Sequence, residues 1–126
     1  KAKNNGTLLN FLYQKINTEK SFDLWTLAKR NIIDVEDMVA IVTLIIEETK
    51  IFGQVFDIAN EKNILVSELV KILEKVLNKK AKPILLNMGD EYLINISKIM
   101  PFVKKLNINF QGQYEEKTIR KYYGVN

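Results

Sequence analysis

The sequence predicts an α/β fold, or α+β if the chain is taken as an isolated unit. Three observations point there. Amphipathic helical stretches alternate with short apolar runs of strand length, the order that produces layered helix and sheet. A chain of 126 residues is one domain's worth of protein, enough for a single modest core. A composition of 47% hydrophobic and 27% charged residues is globular rather than disordered.

The elements follow in chain order. Thr7 is a predicted N-cap for a helix running to about Ile16, with Leu8, Leu12 and Ile16 on one face through four-residue spacing. Ser21 to Trp25 and Ile32 to Val35 read as short strands. Glu36 and Asp37 open a second helix, where the dipole favours acids, and it runs to about Thr49. That helix is apolar nearly all round, through Met38, Val39, Ile41, Val42, Leu44, Ile45 and Ile46, so it needs cover on several sides. After Gly53, Gln54 to Ala59 reads as a buried strand and Asn60 to Ile64 as a polar turn. Ser67 is the expected N-cap of a third helix with an inner stripe of Leu69, Ile72, Leu73 and Val76, closed by Lys79 and Lys80. Pro83 to Leu86 is a predicted strand and Asn87 to Asp90 a turn. A short helix is expected over Ser97 to Leu106, with Pro101 tolerated in its first turn, and a last one over Tyr114 to Tyr123.

Much chemistry is excluded by what the chain lacks. It has no cysteine, hence no disulfide, thiolate ligand or cysteine nucleophile, and no histidine, the commonest general base and metal ligand. Its five glycines, Gly6, Gly53, Gly89, Gly112 and Gly124, lie too far apart for a dinucleotide turn or a P-loop. Tyr13, Tyr92, Tyr114 and Tyr122 are followed four residues on by Asn17, Ile96, Thr118 and Asn126, so no tyrosine-lysine reductase pair exists. Asp34, Glu36 and Asp37 read as helix-start residues rather than an acidic catalytic pair. No catalytic residue and no metal site is expected in this chain.

The net charge of +4 and the pI near 9.2 raise the question of nucleic acid. Lysines are scattered beside acids, only Lys79, Lys80 and Lys82 are grouped, and the two arginines are Arg30 and Arg120, so a solvated lysine surface is the better reading. The longest apolar stretch, Met38 to Ile46, is too short to cross a bilayer, and the opening residues carry no secretory pattern. A cytoplasmic protein with no membrane partner is expected.

The stretch from Arg30 through Asn31, Ile32, Ile33, Asp34, Val35, Glu36 and Asp37 to Met38 and Val39 resembles an element of the extended short-chain dehydrogenase/reductases of the sugar-nucleotide epimerase and dehydratase kind. There an arginine, a hydrophobic strand and Val-x-Asp precede an apolar helix. The flanks continue the resemblance over nearly the whole chain. Asn4-Asn5-Gly6-Thr7-Leu8 and Phe22-Asp23-Leu24-Trp25 match the asparagine loop and the nucleotide-side strand. Gly53 to Asn60, Val66-Ser67-Glu68-Leu69, Gly89-Asp90, Asn95-Ile96-Ser97-Lys98, Leu106-Asn107 and Thr118 to Tyr123 match later landmarks in order.

The resemblance implies that residues 1–126 form the carboxyl-terminal, sugar-nucleotide-binding lobe of a longer enzyme whose Rossmann half, with its NAD or NADP site and its catalytic tyrosine, precedes Lys1. It implies a nucleotide-diphosphate sugar as ligand, a role in bacterial surface-polysaccharide sugar synthesis, and a homodimer. By the same resemblance Arg30 contacts the diphosphate, Asn4 or Asn5 approaches it too, and Phe22 and Trp25 border the nucleobase. The arginine common before Gly-Asp in the family is replaced by Asn87-Met88, and Lys29 is its expected substitute. The competing reading, from another class, is a stand-alone basic interaction or nucleic-acid-binding module. With no phosphate-facing glycine turn at a helix start, the 126-residue chain alone is expected to bind no NAD(P)H and to turn over no nucleotide sugar. Micromolar binding in a fluorescence titration would contradict the lobe reading.

Overall fold

The structure is a computed structural model, and it describes residues 6–48 and 53–124. Asn4, Asn5 and Thr49, the expected end of the second helix, lie outside them. The order is α1 (Leu8–Asn17), β1 (Ser21–Trp25), β2 (Lys29–Arg30), α2 (Val35–Glu48), β3 (Ile64–Leu65), α3 (Val66–Leu77), β4 (Lys82–Leu86), α4 (Met100–Lys105) and α5 (Tyr114–Tyr123). This is a mixed α/β arrangement with two small sheets.

Thr7 caps α1 as expected, its side chain accepting from the Asn10 amide. β1 pairs in parallel with β4, from Ser21 opposite Lys82 to Trp25 opposite Leu86. The two segments stay together past the strands, with the Leu27 amide donating to the Met88 carbonyl and the Lys29 amide to Asp90. β2 and β3 form an antiparallel pair, Lys29 opposite Leu65 and Arg30 opposite Ile64.

Four expectations are corrected. Ile32 to Val35 is not a strand, because distant side chains satisfy its backbone: the Asn60 side-chain amide donates to the Ile32 carbonyl, and the Asp34 amide donates to the Tyr114 hydroxyl. Gln54 to Ala59 is neither a strand nor buried before Ala59, with Val55 73% exposed; it is bonded instead at the Val55 carbonyl by Lys98 Nζ and, just past its end, at the Asn60 amide by Asn31 Oδ1. Ser67 is not an N-cap, since β3 runs straight into α3 and the Val66 amide donates to the Ala28 carbonyl at 3.0 Å. The short helix also begins later than expected, at Met100, after a turn over Ser97 to Ile99.

Two small cores result. Leu12, Ile16, Phe22, Leu24, Leu69, Leu73 and Ile119 join α1, β1, α3 and α5 in one, and Ile41, Ile45, Ile99, Val103, Phe110 and Tyr114 join α2, α4 and α5 in the other. Only Ile41 and Ile45 of α2 are buried. Val35, Val39, Val42 and Ile46 form an exposed stripe along it, up to 59% exposed at Ile46, so the fold leaves this apolar helix half covered.

The carboxylate of Asp34 ties α2 to α5. It accepts from Lys121 Nζ at 2.8 Å, from the Tyr122 hydroxyl at 2.6 Å and from the Glu36 amide at 2.9 Å, while Tyr114 donates to Asp37 at 2.6 Å. Burial alone would raise the Asp34 carboxyl, but the bonds from Lys121 and Tyr122 outweigh it and hold the acid below its ordinary range. A lowered carboxyl stabilises the fold above the unfolded value and stops doing so as pH falls through the folded one. Asp34→Asn should therefore unfold at lower temperature than wild type at pH 7, with the gap closing below about pH 4. Equal melting temperatures at pH 7 would show that the clamp contributes nothing.

Gly89 has φ of 126°, and a Cβ there would lie 2.3 Å from the backbone nitrogen of Ala28. Both backbone conformation and contact demand glycine. Gly89→Ala should destabilise the fold by at least about 2 kcal/mol, lowering Tm by roughly 6–15 °C. Thermal unfolding followed by circular dichroism measures this directly.

Candidate functional site

A cleft of about 430 Å³ opens where the first turn of α1, the segment after β2 and the end of α5 converge, among them Thr7, Leu9, Arg30, Ile33, Tyr122 and Tyr123. Its walls are mostly apolar, and its charge is supplied by Arg30. α1 has no acidic residue in its first turn, and that turn, where the dipole is positive, lines the same space. Asp34 is nearby in sequence, but its carboxylate is engaged by Lys121 and Tyr122.

Arg30 is exposed, and its Nη1 donates to the Lys29 carbonyl at 2.7 Å. Among the described residues it pairs with no carboxylate, whereas Arg120, the second arginine of the chain, is held by Glu116 at 3.0 Å. A guanidinium left with open donors at the mouth of an apolar cleft suits an anion with several oxygens.

Of the other expected residues, the three that are described, Lys29, Phe22 and Trp25, are not gathered into this cleft. Lys29 extends to Glu91 at 3.3 Å. Phe22 is 4% exposed, its ring edge-on to Phe11, so its side chain belongs to the core. Trp25 ends β1 with 43% of its surface exposed. Asn4 and Asn5 precede the α1 turn that lines the cleft, outside the described residues.

Two groups of residues escaped sequence reasoning. Tyr122 forms a wall of the cleft and is locked by its bond to Asp34; burial, then that bond, raises its phenol. Asn31, Asn60 and Asn63 form a cradle behind Arg30. Asn31 Nδ2 donates to the Asn60 carbonyl at 2.9 Å and to Asn63 Oδ1 at 3.0 Å, and its Oδ1 accepts from the Asn60 amide at 2.8 Å. The chain carries no local pattern that pairs position 31 with 60 and 63.

Among the described residues no acidic cluster could hold a metal ion. Nor, among them, does a strand lead through a glycine-rich turn into a helix. β1 leads to a turn, β4 to a long loop, and β3 enters α3 without a glycine between strand and helix. No helix among the described residues is long and apolar enough to cross a membrane.

No protein-family model and no curated protein matches the chain. Among solved structures, a UDP-glucuronic acid 4-epimerase from Bacillus cereus, crystallised in complex with NAD, is similar with a TM-score of 0.63 at 17% identity. The match covers 95% of this chain and 40% of that one. The chain therefore has the fold of about two-fifths of an NAD-binding sugar-nucleotide epimerase.

Proposed function

We propose that this chain is the sugar-nucleotide-binding lobe of an NAD(P)-dependent epimerase, dehydratase or reductase, acting with a Rossmann half outside residues 1–126 that holds the nicotinamide cofactor and the catalytic tyrosine. The observation that carries this reading is Arg30: an arginine without a carboxylate partner among the described residues, sharing a cleft with a helix start that has no acid in its first turn. The fold likeness to a UDP-glucuronic acid 4-epimerase supports it over nearly the whole chain.

In this reading the diphosphate of a nucleotide sugar meets the Arg30 fork and the first turn of α1, with Asn4 or Asn5 beside it. β1 borders the nucleobase, Trp25 offering its exposed indole and Phe22 its backbone, since its side chain is buried. The apolar stripe on α2 is the surface that the other half covers.

Replacing Arg30 removes a charge-assisted contact worth roughly 1.5 to 3 kcal/mol. In the full-length protein Arg30→Ala should weaken UDP-glucuronic acid binding about ten- to hundred-fold. Arg30→Lys should restore only part of the loss, because a point charge lacks the bidentate fork. Affinity for NAD should be unchanged. Calorimetric titration of both ligands separates the outcomes, and equal sugar-nucleotide affinity in wild type and Arg30→Ala would end the diphosphate role.

A further inference from the structure

Both sequence neighbours of Arg30 end in one polar network. On one side the Lys29 amide donates to the Asp90 carbonyl at 3.2 Å, and its ammonium meets Glu91 at 3.3 Å. On the other side Asn31 donates to Asn63 Oδ1, and Asn63 Nδ2 in turn donates to Glu91 Oε1 at 3.2 Å and to the Tyr92 carbonyl at 2.8 Å. Glu91 is thus the meeting point of two arms that flank the arginine. Two residues before it, the backbone of Gly89 lies against Ala28 with no room for a side chain.

The strand that bears Arg30 is only two residues long, and such a ladder fixes little by itself. The Arg30 fork is folded back onto the carbonyl of Lys29, so any shift of Lys29 moves it. We infer that Glu91, with Asn63, Lys29 and Asn31, is a positioning network that presets Arg30 for the diphosphate. This rests on the reading of Arg30 given above. The role of Lys29 changes with it, because Glu91 neutralises its charge and its influence on the ligand passes through the arginine beside it.

The alternative is that Glu91 merely quenches a second phosphate-binding cation. The two differ in sign. Glu91→Gln keeps the shape of the side chain and frees Lys29, so quenching predicts tighter binding and positioning predicts weaker. The pair is solvent-exposed, and exposed pairs contribute little to folding, so Tm should hardly move.

The test is calorimetric titration of UDP-glucuronic acid and NAD into full-length wild type, Glu91→Gln, Arg30→Ala and the double variant. Positioning predicts sugar-nucleotide affinity about three- to ten-fold weaker in Glu91→Gln, with NAD affinity unchanged and no further loss when Arg30 is already alanine. Asn63→Ser should move affinity in the same direction. If Arg30→Ala weakens binding but Glu91→Gln is neutral, tighter, or fully additive with it, the network inference falls and the role of Arg30 stands. If Arg30→Ala has no effect, both fall.

Discussion

Two small cores share one helix, and the rest of the structure depends on how that helix is held. α5 gives Ile119 and Tyr123 to the core built on α1 and α3, and Tyr114 to the core built on α2 and α4. Neither core is large, so their relative placement needs directional contacts as well as burial. Asp34 provides them at one end through Lys121 and Tyr122. Tyr123 adds another from inside, its hydroxyl donating to the buried Asn10 side chain of α1. The cleft that holds Arg30 lies between the elements these contacts join, so its width follows from the same bonds.

Buried amides take the place that a longer sheet would fill elsewhere. Asn60 is 1% exposed, and its side chain donates to the Ile32 carbonyl and to Glu115 while accepting from the Lys62 amide. The Asn31 side chain in turn satisfies the backbone of Asn60 in both directions. Backbone groups that a strand ladder would have paired are paired through side chains, so segments of extended chain hold their place without regular sheet.

Legibility in the sequence followed the range of the forces involved. α1, α3 and α5 were readable because their apolar spacing and caps are local, as with Thr7 and the Leu69 to Val76 stripe. β1 and β4 were readable as apolar runs between turns, although nothing in either run shows that they pair with each other. The segments 32–35 and 54–59 have strand composition, but whether they form a ladder depends on Asn60, Tyr114 and Lys98, residues far away in the chain. Ser67 had the right chemistry for a cap, yet the Ala28 carbonyl had already taken the first amide of α3. Of the site, Arg30 was legible only through family resemblance. Asn63 fell in a predicted polar turn and Glu91 drew no reading, because nothing local ties them to Lys29 and Asn31.

The parallel pairing of β1 with β4 sets an order of events in folding. Ser21 and Lys82 must find each other across about sixty residues of chain, and parallel strands gain no help from a tight hairpin. α3 lies between them in sequence and packs against both α1 and β1, so its helix can form and collapse onto that face first. The strand pair then closes over an existing helical core. Ladders of such high contact order close slowly, and closure does not hide Ile84 and Leu85, which stay 53% and 65% exposed in the folded chain. β4 pairs with β1 alone in its sheet, so among the described residues its outer edge, with these two side chains beside it, is open to another chain after folding as well as before.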